Sequence, residues 1–432
     1  MSEQVIQLKA TLAAKLTMTA IIVMALTASW FVVHWYLGNT LAEYLVPEQN
    51  QLETARMAVS WAPNDPLPHW RLGSLIQNNL PSDQIALAVA EYEKAVSLSP
   101  SDYRFWMDLG AALEQAGDSD KAEKALRQAV KLAPSYSYPS WHLGNLLLRQ
   151  GRYSEAFAEL HRASEANEQL RPQLFNLAWQ VNKDDFESLK VSIGNDPEAR
   201  AQFSQYLISR GRFDEGLRFW NTLSETEKRA NQPLALSMID NLIAGKRYHQ
   251  AVEIWNSVTP MAAARAEPGH VIDGGFEDNV AHGRGAVFSW QFQSVSQVQA
   301  GIDSNSARTG DHSFRIFFQV RTRLQAINMS QLVPVQPDTQ YDLEYYLKTD
   351  KLVSAATPVM VIADATDETI LASSEAAPNG DNDWKRISLS FKTGAKSEAV
   401  RLRISPTPCA DNSVCPIFGT IWYDDFDLKP RK

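Results

Sequence analysis

The same residue types return along this chain every 34 positions. Leu109, Gly110, Gly117, Ala122, Leu126 and Ala129 recur as Leu143, Gly144, Gly151, Ala156, Leu160 and Ala163. One period earlier, Ala88, Ala95, Leu98 and Pro100 precede Ala122, Ala129, Leu132 and Pro134. Ala58 and Pro63 stand 37 residues before Ala95 and Pro100, and the three extra residues fit a longer loop over 78–84. Downstream, residues 211–221 and 245–256 echo each other at 34 to 35, while the pattern degrades between 172 and 205. A period in this range marks one supersecondary unit stacked on copies of itself. A single unit cannot bury its apolar face alone, so neighbours complete the core. Small residues let paired helices approach, large ones fill the gaps, and proline ends the second helix. Nearly all the repeating residues are therefore structural.

The stretch 105–134, FWMDLGAALEQAGDSDKAEKALRQAVKLAP, resembles the tetratricopeptide repeat through Trp106, Leu109, Gly110, Gly117, Ala122, Leu126, Ala129 and Pro134. In the following repeat Trp141 stands one residue late. The resemblance extends over 48–267 as three well-matched repeats, a leading half-repeat and two or three divergent ones. It implies an α-solenoid whose first helices line a groove for a peptide segment or another protein's helix. By the same resemblance Arg71, Gln77, Arg104, Glu114, Trp141, Asn145 and Arg149 line that groove. Two readings stay open for Trp141: an aromatic anchor for the partner, or a side chain that packs after a one-residue slip.

Residues 16–37 contain no Asp, Glu, Lys or Arg, and about 20 apolar residues suffice to cross a bilayer as a helix. Trp30, Trp35 and Tyr36 cluster where an interfacial belt would lie. Lys9 and Lys15 flank the N-terminal side, and Glu43 and Glu48 follow the other. The positive-inside rule then makes 1–15 cytoplasmic, 16–37 a single-pass anchor and the rest external. A cleaved signal peptide and a buried soluble helix are the rival readings. The apolar run is long for a signal peptide, and it lacks a clear small-x-small cleavage site. Cys409 and Cys415, separated by five intervening residues in PCADNSVCP, read as a structural disulfide in an oxidising compartment, with free thiols as the alternative.

After Pro268 the helical period stops and strand-like alternation begins. Phe314, Ile316, Phe318 and Val320 share one face of a strand, and Tyr341, Leu343, Tyr345 and Leu347 share one face of another. Residues 387–391 and 401–405 alternate in the same way. Several short antiparallel strands over this length point to a two-sheet sandwich. The opposite faces carry Arg315, Phe317, Gln319, Arg321 and Arg323 on one strand, Tyr346 and Lys348 on a second, and Arg401 and Arg403 on a third. If those strands are neighbours, they form one cationic, aromatic face suited to carboxylates or sulfates. An ordinary solvated face is the alternative.

The order DGGFED (273–278), Trp290, GDHSFRI (310–316), 331–349, WKRISLSF (384–391) and IWYDDFDL (421–428) looks like the jelly-roll carbohydrate-binding modules of the families 4, 9 and 22 group. The resemblance covers 268–432. It implies a glycan ligand, and the cationic, aromatic strand face points to an acidic polysaccharide on Phe317, Gln319, Tyr346, Arg401 and Arg403. It also implies one structural calcium held by Glu277 and Asp425, with Asp278 and Asp424 adjacent; an acidic surface cluster is the alternative. Trp384 and Trp422 are expected in the core.

The net charge of −9 argues against a nucleic-acid partner. The sequence contains no HExxH, GxSxG or Walker pattern. The expectation is a multidomain α plus all-β protein: transmembrane helix, tetratricopeptide α-solenoid and C-terminal jelly roll. Its expected role is a non-enzymatic adaptor in the bacterial inner membrane, with periplasmic domains serving cell-envelope or exopolysaccharide assembly. A purely structural scaffold and a hydrolase with an unrecognised carboxylate pair are the rivals.

Overall fold

The computed structural model describes residues 11–43, 51–79, 84–277, 286–292, 298–323, 329–407 and 416–431. Cys409, Cys415 and Asp278 lie outside the described residues, as do the side chains of Val320, Arg321 and Arg323. The chain divides into two compact units, 1–194 and 195–432, so the boundary expected at 268 falls inside the second unit.

The first unit opens with the apolar helix α1 (Leu12–Glu43), followed by α2 (Gln51–Trp61). Helix pairs follow as α3 and α4 (Pro66–Asn79, Ile85–Leu98), α5 and α6 (Tyr103–Gln115, Ser119–Leu132), α7 and α8 (Ser137–Arg149, Tyr153–Ala166) and α9 and α10 (Arg171–Asn182, Phe186–Ile193). The repeat explains the pairing. Gly110 lies so close to α6 that a Cβ there would sit 2.6 Å from Leu126 Cγ, and a Cβ on Gly144 would sit 2.7 Å from Leu160 Cγ in the next pair. Asp102 and Asp118 cap α5 and α6 by accepting from the backbone N–H groups of Arg104 and Lys121. Helix pairing continues through 172–193, where the sequence pattern has faded.

The second unit begins with α11 and α12 (Pro197–Ser209, Phe213–Trp220), the short α13 (Glu225–Ala230), and α14 and α15 (Gln232–Ala244, Tyr248–Val258). Among the described residues nine strands follow: β1 Val298–Asp303, β2 Ser313–Arg323, β3 Ser330–Pro334, β4 Gln340–Ser354, β5 Val359–Asp364, β6 Ile370–Ser373, β7 Gly380–Lys392, β8 Ala399–Ser405 and β9 Pro416–Pro430. They form a five-stranded sheet, β1-β2-β9-β4-β7, and a four-stranded sheet, β3-β8-β5-β6. All the strand pairs are antiparallel. Apart from the β1–β2 and β5–β6 hairpins, successive strands cross between the sheets, giving a jelly-roll sandwich. Its core holds Trp290, Phe314, Phe318, Tyr341, Tyr345, Tyr423 and Phe426.

The last helical pair shares a core with this sandwich. Leu332, Ala365 and Ala399, from the outer side of the four-stranded sheet, are buried in one cluster with Leu242, Tyr248, Trp255 and Phe288. Tyr248 donates its hydroxyl to the Ala365 carbonyl at 2.5 Å, and the His249 N–H donates to Glu398 at 3.0 Å. Asn256 closes the 259–269 connection by exchanging two 2.9 Å hydrogen bonds with the Ala266 backbone.

Candidate functional site: a helical groove and an aromatic sheet face

The groove residues lie on the first helices of three consecutive pairs, α3, α5 and α7. Trp70, Met107 and Trp141 occupy equivalent repeat positions, 37 and 34 residues apart, and all three are half-buried. Trp141 is therefore in register with Trp70. The other tryptophan, Trp106, points elsewhere and donates to the Pro100 carbonyl at 2.8 Å. Trp70 donates to Asp108 at 2.6 Å. Burial raises the Asp108 pKa, with the Trp70 N–H opposing it. His142 lies at the equivalent position on α7, and burial pushes its pKa down.

Neighbours hold two of the expected groove cations. Arg104 forks onto Asp102, with its guanidinium 6.0 Å from the Trp70 ring. Arg149 pairs with Glu114 at 2.5 Å. Asn145 donates to the Trp141 carbonyl at 2.8 Å, and Gln77 donates to Gln115 at 3.2 Å. The Arg71 Nε is buried with no partner among the described residues. Trp70 and Asp108 were missed from the sequence, although Trp70 repeats the displaced position of Trp141.

The expected glycan residues separate onto two outer faces. Phe317, Gln319 and Tyr346 lie on the outside of the five-stranded sheet, on β2 and β4. Arg401 and Arg403 lie on β8 of the other sheet, so they do not join that face. Alternation along a strand assigns a face but not a sheet. There, Glu368 accepts from Arg403 at 2.9 Å and from Arg401 at 3.4 Å.

Trp422 and Trp384 correct the core expectation, because both are half-buried on the outer face. On β9, Ile421 and Tyr423 point inward, and so do Phe426 and Leu428. The phase flips between these pairs because Glu344 opposes Asp427 while Tyr346 opposes Asp424. Asp425, with φ 52°, sits in this bulge. On β7, Trp384 shares the phase of Arg386 and Ser388, opposite to that of the core-facing Ile387 and Leu389.

The result is a row across the sheet in which Arg315 and Lys348 flank Trp422 in register. Lys348 Nζ lies 5.7 Å from the Trp422 ring and 5.9 Å from the Trp384 ring. Arg315 lies 6.0 Å from the Phe317 ring. Gly301, opposite Arg315, leaves open space where a side chain would stand. Trp422 donates to Asp303 at 2.8 Å. Burial alone would raise the Asp303 pKa, but hydrogen bonds from Trp422 and Asn305 hold it below the usual range.

Beside this face lies a cleft of about 610 Å³, lined in part by Glu277, Arg308, Glu344, Tyr346, Asp425 and Asp427. Glu277 accepts from the N–H groups of Asp311 and His312 at 2.9 and 2.8 Å and meets His312 Nδ1 at 3.0 Å. Burial favours its neutral form, but the His312 hydrogen bonds prevail and hold its pKa low. Asp425 accepts from Arg308 at 2.7 Å and from Thr309 at 2.6 Å. Arg308 also covers the Tyr346 ring, 3.4 Å from its centroid. Calcium requires six to eight oxygens. Glu277 and Asp425, the carboxylates expected to hold it, are engaged by N–H and O–H donors, and the Arg308 guanidinium stands beside Asp425. Among the described residues no group of three or more His, Cys, Asp or Glu side chains is arranged to hold a metal. So engaged, the Glu277 and Asp425 carboxylates do not fit the ion, and Asp278 lies outside the described residues.

Residues 82–137 and 113–173 match the family model of the tetratricopeptide repeat. The small glutamine-rich tetratricopeptide repeat-containing protein 2 of Mycosarcoma maydis is 30% identical over 115 residues, 26% of this chain and 31% of that protein. The chain thus spans about a third of the length of the curated relative it matches. Among solved structures, one described as "CBM4 structure and function" aligns at TM-score 0.29 and 14% identity, over 38% of this chain and 100% of the other. YrrB, described as a TPR protein with an unusual peptide-binding site, aligns at TM-score 0.26 and 19% identity, over 48% and 91%. The helical region is a tetratricopeptide-type array, an architecture that mediates protein–protein contacts.

Proposed function

We propose that this protein is a non-enzymatic adaptor held by α1 in the bacterial inner membrane, with both folded units in the periplasm. The groove of α3, α5 and α7 takes a segment of a partner protein. The outer face of the five-stranded sheet takes an acidic polysaccharide, in cell-envelope or exopolysaccharide assembly or export. The observation that carries the glycan assignment is Lys348 between Trp384 and Trp422, with Arg315 next in the row. An aromatic ring offers a platform to the C–H face of a sugar, while the ammonium and guanidinium pair with its carboxylate or sulfate. These cations are local, because the chain as a whole carries −9.

The cleft carboxylates favour a binding role over hydrolysis. A two-carboxylate glycosidase needs an acid with a raised pKa facing the substrate. Asp424 is raised, to about 6, but it is fully buried, and Glu277 is held low. A second reading, a scaffold with no sugar ligand, is favoured by the other sheet, where the Tyr248 hydroxyl contacts Ala365 and Glu368 engages both Arg401 and Arg403.

The test is titration of the full chain in detergent with alginate, a polymer of uronic acids. Lys348→Ala and Trp422→Ala each lower affinity by about tenfold, the worth of one good stacked or charge-assisted contact. Unchanged binding in both variants removes this face as the site.

A further inference from the structure

Helix α1 is longer than a bilayer requires. Its 32 residues span about 48 Å at 1.5 Å per residue, against about 30 Å of hydrocarbon. The surplus turns are packed against the first helices of the repeat array. Gly38 and Ala42 are the buried residues of α1. A Cβ on Gly38 would lie 2.7 Å from Ala62 Cβ and 3.1 Å from the Ala58 carbonyl oxygen, so only glycine allows this approach. Lower on α1, the Trp35 indole donates to Asp65 at 2.6 Å, and the His34 ring lies 6.1 Å from the Trp61 ring. The turn between α2 and α3 therefore reaches down beside α1 to the level of His34 and Trp35.

These contacts fix where a membrane can begin. Asp65 is a carboxylate, and its place is outside the hydrocarbon. At this height and within about two turns below it α1 exposes Trp30, Trp35 and Tyr36. Indole and phenol rings concentrate at the membrane–water boundary. The apolar length left below, residues 16–33, spans about 27 Å, close to one bilayer core.

We propose that α2 and α3 are a rigid continuation of the anchor, seated on the bilayer with the Trp61–Asp65 turn in the lipid headgroup layer. The outer boundary of the span is then at Trp30–His34, not at Leu37. The inference rests on α1 being an uncleaved anchor. It adds that the first helices are held at a set height and direction above the lipid instead of swinging on a tether.

The test uses the full chain in vesicles of phosphatidylethanolamine and phosphatidylglycerol. Flotation with the vesicles reports anchoring. A bimane label is placed on Asn64→Cys, in the α2–α3 turn, or on Ser135→Cys, in the exposed α6–α7 turn, with labelling of the unsubstituted chain subtracted. Nitroxide lipids labelled at the headgroup or shallow in the acyl chain quench it. Seating at the interface gives about threefold or more quenching at position 64 relative to 135. Gly38→Leu, which forces a side chain into the seam, lowers quenching at 64 toward the reference while the protein still floats. Equal quenching at 64 and 135 in floated protein overturns the seating and leaves the anchor standing. Failure to float overturns both.

Discussion

The indole N–H of Trp422 donates to the Asp303 carboxylate at 2.8 Å, joining β9 to the end of β1 across the intervening β2. Asp303 is nearly inaccessible, so the bond is sheltered and holds the ring in one orientation on the outer face. In the proposed glycan site Asp303 is a positioning residue. Asp303→Ala is expected to weaken alginate binding by several-fold while leaving sandwich melting cooperative. Asp303→Asn, which keeps an acceptor for the indole, restores most of the affinity. Isothermal titration of the two variants checks this pair of outcomes.

The shared core of α15 and the four-stranded sheet determines which fragment folds. Cutting at residue 268 bares Leu332, Ala365 and Ala399 and removes the Tyr248 and His249 hydrogen bonds. Residues 195–432 are expected to unfold in a single cooperative transition. Residues 268–432 alone are expected to aggregate or to melt about 10 °C or more lower, since losses of a few kcal/mol move Tm by that amount. Calorimetry of both fragments is the check.

The helices were legible where spacing carries the physics. Gly110 against Leu126 is repeated as Gly144 against Leu160 because close helix crossing demands a small residue. The α9–α10 pair was not legible from spacing, because its packing uses other residue combinations. On the sandwich, Tyr341, Leu343, Tyr345 and Leu347 were read as sharing one face from alternation alone, and that face packs in the core. Alternation failed at Trp422, because the bulge at Asp425 inserts one residue and reverses the phase. It also could not tell that β8, with Arg401 and Arg403, belongs to the other sheet. Register and sheet order depend on contacts distant in sequence, and no local pattern encodes them.

Asp424 gives the second unit an unusual response to acid. Burial pushes its carboxyl up to about 6, opposed by the Arg308 N–H and reinforced by the charge of Asp425. A raised carboxyl costs stability when ionised. The cost is complete above about pH 6 and absent below the ordinary value near 3.9, and two units correspond to about 3 kcal/mol. Glu277 and Asp303 act oppositely, and their contribution is lost once pH falls through their lowered values. Urea titrations of 195–432 should show stability rising from pH 7 toward 5 and falling at more acid pH. Asp424→Asn should flatten the first limb.

Arg308 supplies the positive charge between the carboxylates of the cleft, bonding Asp425 through its side chain and Asp424 through its N–H. Calcium or a chelator should leave the melting temperature of 195–432 unchanged. Arg308→Ala should lower it and make the unit more responsive to added calcium, because the carboxylates then lack their counter-charge. Differential scanning calorimetry with and without chelator distinguishes these cases.

The central claim is that the outer face of the five-stranded sheet recognises the acid groups of a polysaccharide. The most direct measurement is titration of the full chain with alginate and with its carboxyl-reduced, neutral counterpart of equal length. Binding to the acidic polymer that weakens as salt rises, with little or none to the neutral one, is expected. Equal affinity for both polymers, or binding to neither by folded protein, would contradict it.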